Sequence, residues 1–268
     1  MRTTDVPTTS AQTGPLTPNH GTPLGRVVTT ELRKMLNTRS GSWLVASLVI
    51  LALLATIAVI TFAPDEQLTY ATFVTAIGIP LSLVLPMIAI LSVTSEWSQR
   101  TGLTTFTLVP QRGRVLAAKA IASVVVAIVS TPLAIGIGAL GAVAGPSIAG
   151  LDPTWDLPLS TLLTIALGNT LGVLVGFTIA VLVRRSPAAL VGYVVYQFLL
   201  PTLAMLLAAS QSWFRDVQPW IDLDFAQNAL FSPYLTAEQW AQVGVTALLW
   251  MAIPLVVGLK LLMRAEVK

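Results

Sequence analysis

Six stretches of the chain are apolar for about twenty residues or more, a length that crosses roughly 30 Å of hydrocarbon as a helix. Polar residues fall in short islands between them. The first stretch, Trp43–Ala63, carries no charge and stops at Pro64-Asp65-Glu66. The second covers about Tyr70–Val93, the third Val115–Val143, the fourth Leu159–Val183, the fifth Ala188–Ala208 and the sixth Trp240–Met263. Each predicts a transmembrane helix. Proline removes a backbone hydrogen bond from a helix, so Pro80 and Pro86 predict a bent second span; Pro132 and Pro254 interrupt the third and sixth. The pattern ahead of the first span is different. Leu24, Val27, Val28, Leu32, Met35 and Leu36 recur at helical spacing among Arg26, Glu31, Arg33, Lys34 and Arg39. Residues 24–39 therefore predict an amphipathic helix lying in the membrane interface. A short cytosolic helix resting on the rest of the protein is the alternative. Residues 1–23 are rich in Pro and Thr and read as a disordered tail.

Composition supports the membrane assignment. Of 268 residues, 54% are apolar and only 10% charged, where a soluble domain carries about 25% charge. Mean hydropathy is +0.79. The expected fold is an all-α polytopic membrane protein with six transmembrane helices and an N-terminal amphipathic interfacial helix. Net charge is only +3, so no nucleic-acid partner is expected. The chain has no cysteine, which excludes disulfides and thiolate metal sites. The one histidine, His20, lies in the Pro/Thr-rich tail and reads as solvated. Cation placement sets the expected orientation. With both termini on one side, fourteen of the fifteen Lys and Arg fall on that side and only Arg215 on the other. The positive-inside rule then places both termini in the cytoplasm. The domain organisation expected is a tail 1–23, an interfacial helix 24–39 and a transmembrane domain 40–268. That domain carries a cytoplasmic loop 95–113 and an extracytoplasmic loop 209–237. Trp213, Phe214, Trp220, Phe225 and Phe231 mark the second loop as lying at the membrane surface or partly re-entrant.

No Gly-Lys dipeptide occurs, so there is no Walker A loop for ATP phosphates. Neither H-E-x-x-H nor G-x-S-x-G is present. Apart from Lys119 near an interface, where it can snorkel, the central parts of the spans hold no acid or base, the usual mark of ion coupling. Their polar groups are neutral: Thr72, Thr75, Ser82, Ser130, Thr131, Asn169, Thr170, Thr178 and Gln197. The hydroxyls are expected to bond back to their own helices. Asn169 and Gln197 either bridge helices or line a passage. Gly168, Gly172 and Gly176 form a small-residue stripe that reads as helix packing.

The polar island between the second and third spans, SEWSQRTGLTTFTLVPQRGRVLAAK over Ser95–Lys119, is the most informative stretch. As a bare sequence it is either a solvated or lipid-lying loop or a docking element for a soluble partner. Leu103, Phe106 and Leu108 present apolar side chains on an otherwise polar segment. The order Glu96, three residues, Arg100-Thr101-Gly102, an apolar/Thr run, Pro110, Arg112 and Val115-Leu116-x-x-Lys119 resembles the loop between the second and third spans of type-2 ATP-binding-cassette (ABC) transporter permeases. The six-span layout and the amphipathic helix before the first span are similar too. The resemblance covers about residues 24–263.

That resemblance implies a membrane-spanning permease subunit of an ATP-driven exporter in a bacterial-type plasma membrane. It implies pairing with a second permease subunit, identical or not, and coupling to a separate cytosolic ABC ATPase. ATP and Mg would be held by that ATPase, and no cofactor or metal and no catalysis is expected on this chain. A coupling helix would fall near Ser98–Leu108, with Glu96, Arg100, Thr101, Gly102, Leu103, Phe106 and Arg112 as coupling residues. The second and fifth spans would border the path, with Thr75, Ser82, Tyr193, Tyr196 and Gln197 as candidate lining. Mostly apolar spans suit a hydrophobic or amphipathic cargo such as a lipid, drug or peptide. The alternative from another class is a non-transporting membrane scaffold or sensor, which needs membrane lipids but no ATPase.

Overall fold

The computed structural model describes residues 23–37, 39–98, 112–232 and 234–264. The described residues are almost entirely helical and form no strand beyond an isolated bridge between Thr69 and Thr154. Helix α1 is Leu24–Asn37, α2 Arg39–Phe62, α3 Tyr70–Ser98, α4 Arg112–Ala149 and α5 Leu159–Val183. Helix α6 spans Ser186–Ser210 and contains a π turn at Val195–Leu199. Two short helices follow, α7 (Ser212–Ile221) and α8 (Leu223–Asn228), with a 3-10 turn at Ala229–Phe231. Helix α9 starts as Ala237–Ala247, passes a π turn at Leu248–Ala252 and continues as Ile253–Arg264. Six of these helices are long and apolar enough to cross a membrane. The chain is an all-α polytopic membrane protein. Only helices that satisfy their own backbone can stand in hydrocarbon as single segments.

Helix α3 is the centre, packed between α2, α4 and α5, with α6 against α3 and α5. Glycines let α4 approach α3. A Cβ on Gly141 would come within 2.6 Å of Phe73 Cδ1 and 2.8 Å of Thr56 Cγ2. Phe73 is fully buried in this contact. The glycine stripe of α5 packs as expected. A Cβ on Gly176 would lie 2.8 Å from both Cβ and the carbonyl oxygen of Pro86, so the α5 and α3 backbones touch there.

The spans match the hydropathy pattern, with one displaced end. The segment 145–149, expected to open a loop, is helical, and α4 runs to Ala149. At 1.5 Å per residue its 38 residues measure roughly 57 Å. The helix stops at Gly150 rather than at Pro146, because Gly150 (φ 73°) takes up the left-handed conformation that ends a helix. Leu151 N–H then donates to Pro146 O at 2.8 Å and Gly150 N–H to Ser147 O at 3.4 Å, a Schellman closure. The loop beyond caps α3. Asp156 Oδ1 accepts from Ala71 N–H at 2.8 Å, and Tyr70 N–H donates to Thr154 O at 3.1 Å. Both N–H groups lie in the first turn of α3, where a helix supplies no acceptor of its own.

Helix α1 is amphipathic, but its inner face differs from the sequence expectation. Val27, Glu31 and Met35 form the buried line, packed on α4 and α2. Glu31 reaches Lys119 of α4, Oε2 to Nζ, at 2.6 Å, and Oε1 accepts from Lys34 at 2.7 Å. Lys119 also donates to Ser92 O of α3 at 2.9 Å. Lys119 is only 3% exposed, so it does not snorkel to an interface. A carboxylate from α1 supplies the counter-charge that makes burial tolerable. Burial by itself would raise the Glu31 carboxyl, but Lys119, and then Lys34, outweigh it and hold it below the usual glutamate value.

Candidate functional site

Prolines shape the site from the sequence upward. Pro86 has no N–H to offer the carbonyl of Ser82, four residues earlier in α3. That carbonyl instead accepts from Tyr193 Oη of α6 at 2.6 Å. Tyr193 is 1% exposed. Gln197 Oε1 lies 2.9 Å from the same hydroxyl. A phenol has one proton, and the shorter contact takes it. With its amide rotated by 180°, Gln197 donates to the Tyr193 oxygen and both contacts become good hydrogen bonds.

Pro201 and Pro254 act on their own helices. In α6 and in α9 the proline stands two residues after a π turn. Leu200 N–H bonds Val195 O, and Ile253 N–H bonds Leu248 O, both five residues back. An α-helical path would press each proline ring onto the carbonyl four residues before it, and the wider turn relieves that clash. The two turns meet side by side. Tyr196 and Trp250 rings lie 5.7 Å apart, and Trp250 Nε1 donates to Ile221 O at 2.7 Å.

This last bond, with Thr164 Oγ1 donating to the Leu230 carbonyl, ties the 209–237 segment to the spans. The segment is two helices and a 3-10 turn rather than an irregular loop. It packs back on α5 and α9, with Leu223, Ala226 and Leu230 buried. Asp224, Gln227 and Asn228 of α8 and Phe231 of the 3-10 turn that follows recur at helical spacing and share one face. That face closes a cavity of about 330 Å³.

The other walls are α3, α5 and α6: Thr75, Gly78, Ile79, Leu81, Ser82 and Pro86; Gly168, Asn169 and Gly172; Tyr193 and Gln197. Ser82, Asn169 and Gln197 each lie ten to twelve residues from the start of their helix. That is roughly 15–18 Å along it, close to half the hydrocarbon thickness. Of the five path residues expected from the sequence, Thr75, Ser82, Tyr193 and Gln197 line this cavity. Tyr196 does not. It is buried against Trp250 and Tyr193, and its hydroxyl has no hydrogen-bond partner among the described residues. Asn169 both bridges and lines: its Nδ2 donates to Thr131 Oγ1 of α4 at 3.1 Å. Hydroxyls elsewhere bond back to their helices, Thr170 to Ala166 O and Thr178 to Leu174 O.

Asp224 is not among the path residues expected from the sequence. In the structure it is the one charged side chain of the cavity wall among the described residues. Asn228 Nδ2 donates to its Oδ2 across a long 3.4 Å. Burial, and then the nearby Asp222 carboxylate, lift Asp224 above the usual aspartate value, while the Asn228 bond pulls it down. Asp222 itself is the N-cap of α8, accepting from Phe225 N–H at 3.2 Å. The signal available in the sequence was the run DLDFAQN, a capping Asp followed by three polar residues on one helical face.

The expected coupling residues Arg100, Thr101, Gly102, Leu103 and Phe106 lie outside the described residues, as do the side chains of Glu96 and Arg112. Among the described residues no group of three or more His, Cys, Asp or Glu converges on a metal position. No protein-family model matches the chain, and no curated protein is similar to it.

Proposed function

We propose that the chain is the membrane-spanning permease subunit of an ATP-driven ABC exporter. It forms the substrate path as a dimer and is coupled to a separate ATPase through the segment between α3 and α4. The observation that carries this reading is the mid-depth cavity, walled by α3, α5 and α6 and closed on one side by α8. A cavity of this size with a few convergent polar groups suits a drug-sized amphipathic molecule. Helix α4 and the end of α3, which flank the 95–113 segment, are pinned together and to α1 through Lys119. A pull on that segment would therefore move packed helices and not a loose loop.

The chain has no Walker A motif, so the energy for such work comes from a partner. The test is co-expression and co-purification with a cytosolic ABC ATPase from the same genome, comparing wild type with Glu96→Ala/Phe106→Ala. Loss of association and of ATPase stimulation in the variant is the expected result. Unchanged binding and unchanged stimulation overturn the docking assignment. A purified protein that stays monomeric and captures no ATPase favours the scaffold or sensor reading.

A further inference from the structure

We propose that the cavity between α3, α5, α6 and α8 binds an amphipathic organic cation, with its charged head on Asp224 and its apolar body against Ile79, Leu81, Pro86 and Phe231. The proposal rests on the permease reading and narrows its cargo to one charge class. The first argument is charge. Among the described residues the cavity wall carries a carboxylate and no Lys, Arg or His. A carboxylate partly buried in such a wall carries a desolvation cost unless something neutralises it. Among the described residues Asp224 forms no ion pair, and its one side-chain hydrogen bond is the long one from Asn228. Asp222, the N-cap of α8, adds to the negative potential instead of relieving it. The groups facing Asp224 from α6, Tyr193 and Tyr196, are neutral phenols that supply no positive charge.

The second argument is an unmet polar group. Gln227 lines the same cavity, and its Nε2 is buried with no hydrogen-bond partner among the described residues. A buried amide without a partner costs about 1–3 kcal/mol, and a ligand polar atom beside the cationic head removes that cost. The third argument is the kind of wall. Most of the lining is apolar, and a bare metal ion needs several oxygen or nitrogen ligands, whereas here one carboxylate stands among amides and hydroxyls. An anion meets only like charge.

The wild-type, full-length protein in lipid nanodiscs tests this with tetraphenylphosphonium and tetraphenylborate, ions of the same shape and opposite charge. Saturable binding of the cation at least about tenfold tighter than the anion is expected, a difference of about 1.4 kcal/mol. Affinity for the cation should fall as pH is lowered through the raised Asp224 value, because protonation removes the charge it binds. Asp224→Asn should abolish the preference and Asp224→Glu should keep it. Equal binding of the two ions by the wild type, or wild-type cation affinity in Asp224→Asn, overturns the proposal. The charge and pH comparisons need no variant, so they hold even if Asp224→Asn misfolds. No ATPase is present in the assay. Cation binding without ATPase association would sink the permease reading and keep the site; ATPase association without cation binding does the reverse.

Discussion

Replacing Tyr193 by Phe deletes a hydroxyl and nothing else, and its cost depends on a proline in another helix. Pro86 withholds the N–H that Ser82 O would receive in an ordinary helix, and Tyr193 Oη supplies the donor at 2.6 Å. Losing it strands a buried carbonyl, worth about 1–3 kcal/mol. Interhelical hydrogen bonds within membranes fall toward the lower end of that range, so about 1–2 kcal/mol is expected for Tyr193→Phe. Pro86→Ala restores a backbone N–H to Ser82 and keeps the Cβ that meets Gly176. In that background Tyr193→Phe should cost no more than about 0.5 kcal/mol. The double-mutant cycle should therefore show a coupling of about 1 kcal/mol. Reversible unfolding in mixed micelles, followed by tryptophan fluorescence, reads all four proteins. An equal cost of Tyr193→Phe in both backgrounds would show that the phenol does not serve the carbonyl left open by Pro86.

Gly141→Ala should destabilise the same micellar protein by about 1–3 kcal/mol through overpacking, since the added methyl meets both Phe73 and Thr56. Gly136→Ala, where a Cβ meets nothing within 4 Å, should be neutral or stabilising by up to about 1 kcal/mol; a like effect at both sites would refute the α3–α4 packing. Glu31→Gln should cost about 3–5 kcal/mol, because it takes the carboxylate from a buried Lys119. Adding Lys119→Met should recover part of that loss, and strictly additive costs would argue against the pair. Glu31 sits below its ordinary value of 4.5, so its contribution is complete above about pH 4.5 and is lost as pH falls through the lowered value. Thermal unfolding of wild type and Glu31→Gln should converge in acid and separate at neutral pH.

The spans were legible because hydropathy is a property of consecutive residues. Leu159–Val183 coincides end to end with the observed helix. The end of α4 was not legible, since Gly145-Pro146 resembles a loop opening when its packing on Phe73 is unknown. The burial of Lys119 was hidden for a related reason. Its counter-charge stands 88 residues earlier, and from the sequence alone Glu31 belongs to the polar face of α1. Thr75, Ser82 and Gln197 were legible as polar residues within the spans, and Tyr193 only through the place that the resemblance gives the fifth span; one cavity gathers all four. Asp224 escaped because its place depends on α8 folding back against α5. Two tertiary hydrogen bonds fix that return, and no local pattern reports them.

The paired π turns have a consequence for how the length of α6 and α9 is controlled. A π turn stores one extra residue without rotating the helix halves on either side. Deleting one residue within Val195–Leu199 or Leu248–Ala252 would leave both halves facing as they do now, though it would push Pro201 or Pro254 back onto a carbonyl. The same deletion in α5, which has no such turn, would swing everything beyond it by about 100° around the axis. Gly176 would then leave the Pro86 backbone, and a side chain would take its place. Insertions and deletions in this protein are therefore position-specific: two slots absorb a change of one residue, and they meet where Tyr196 lies against Trp250.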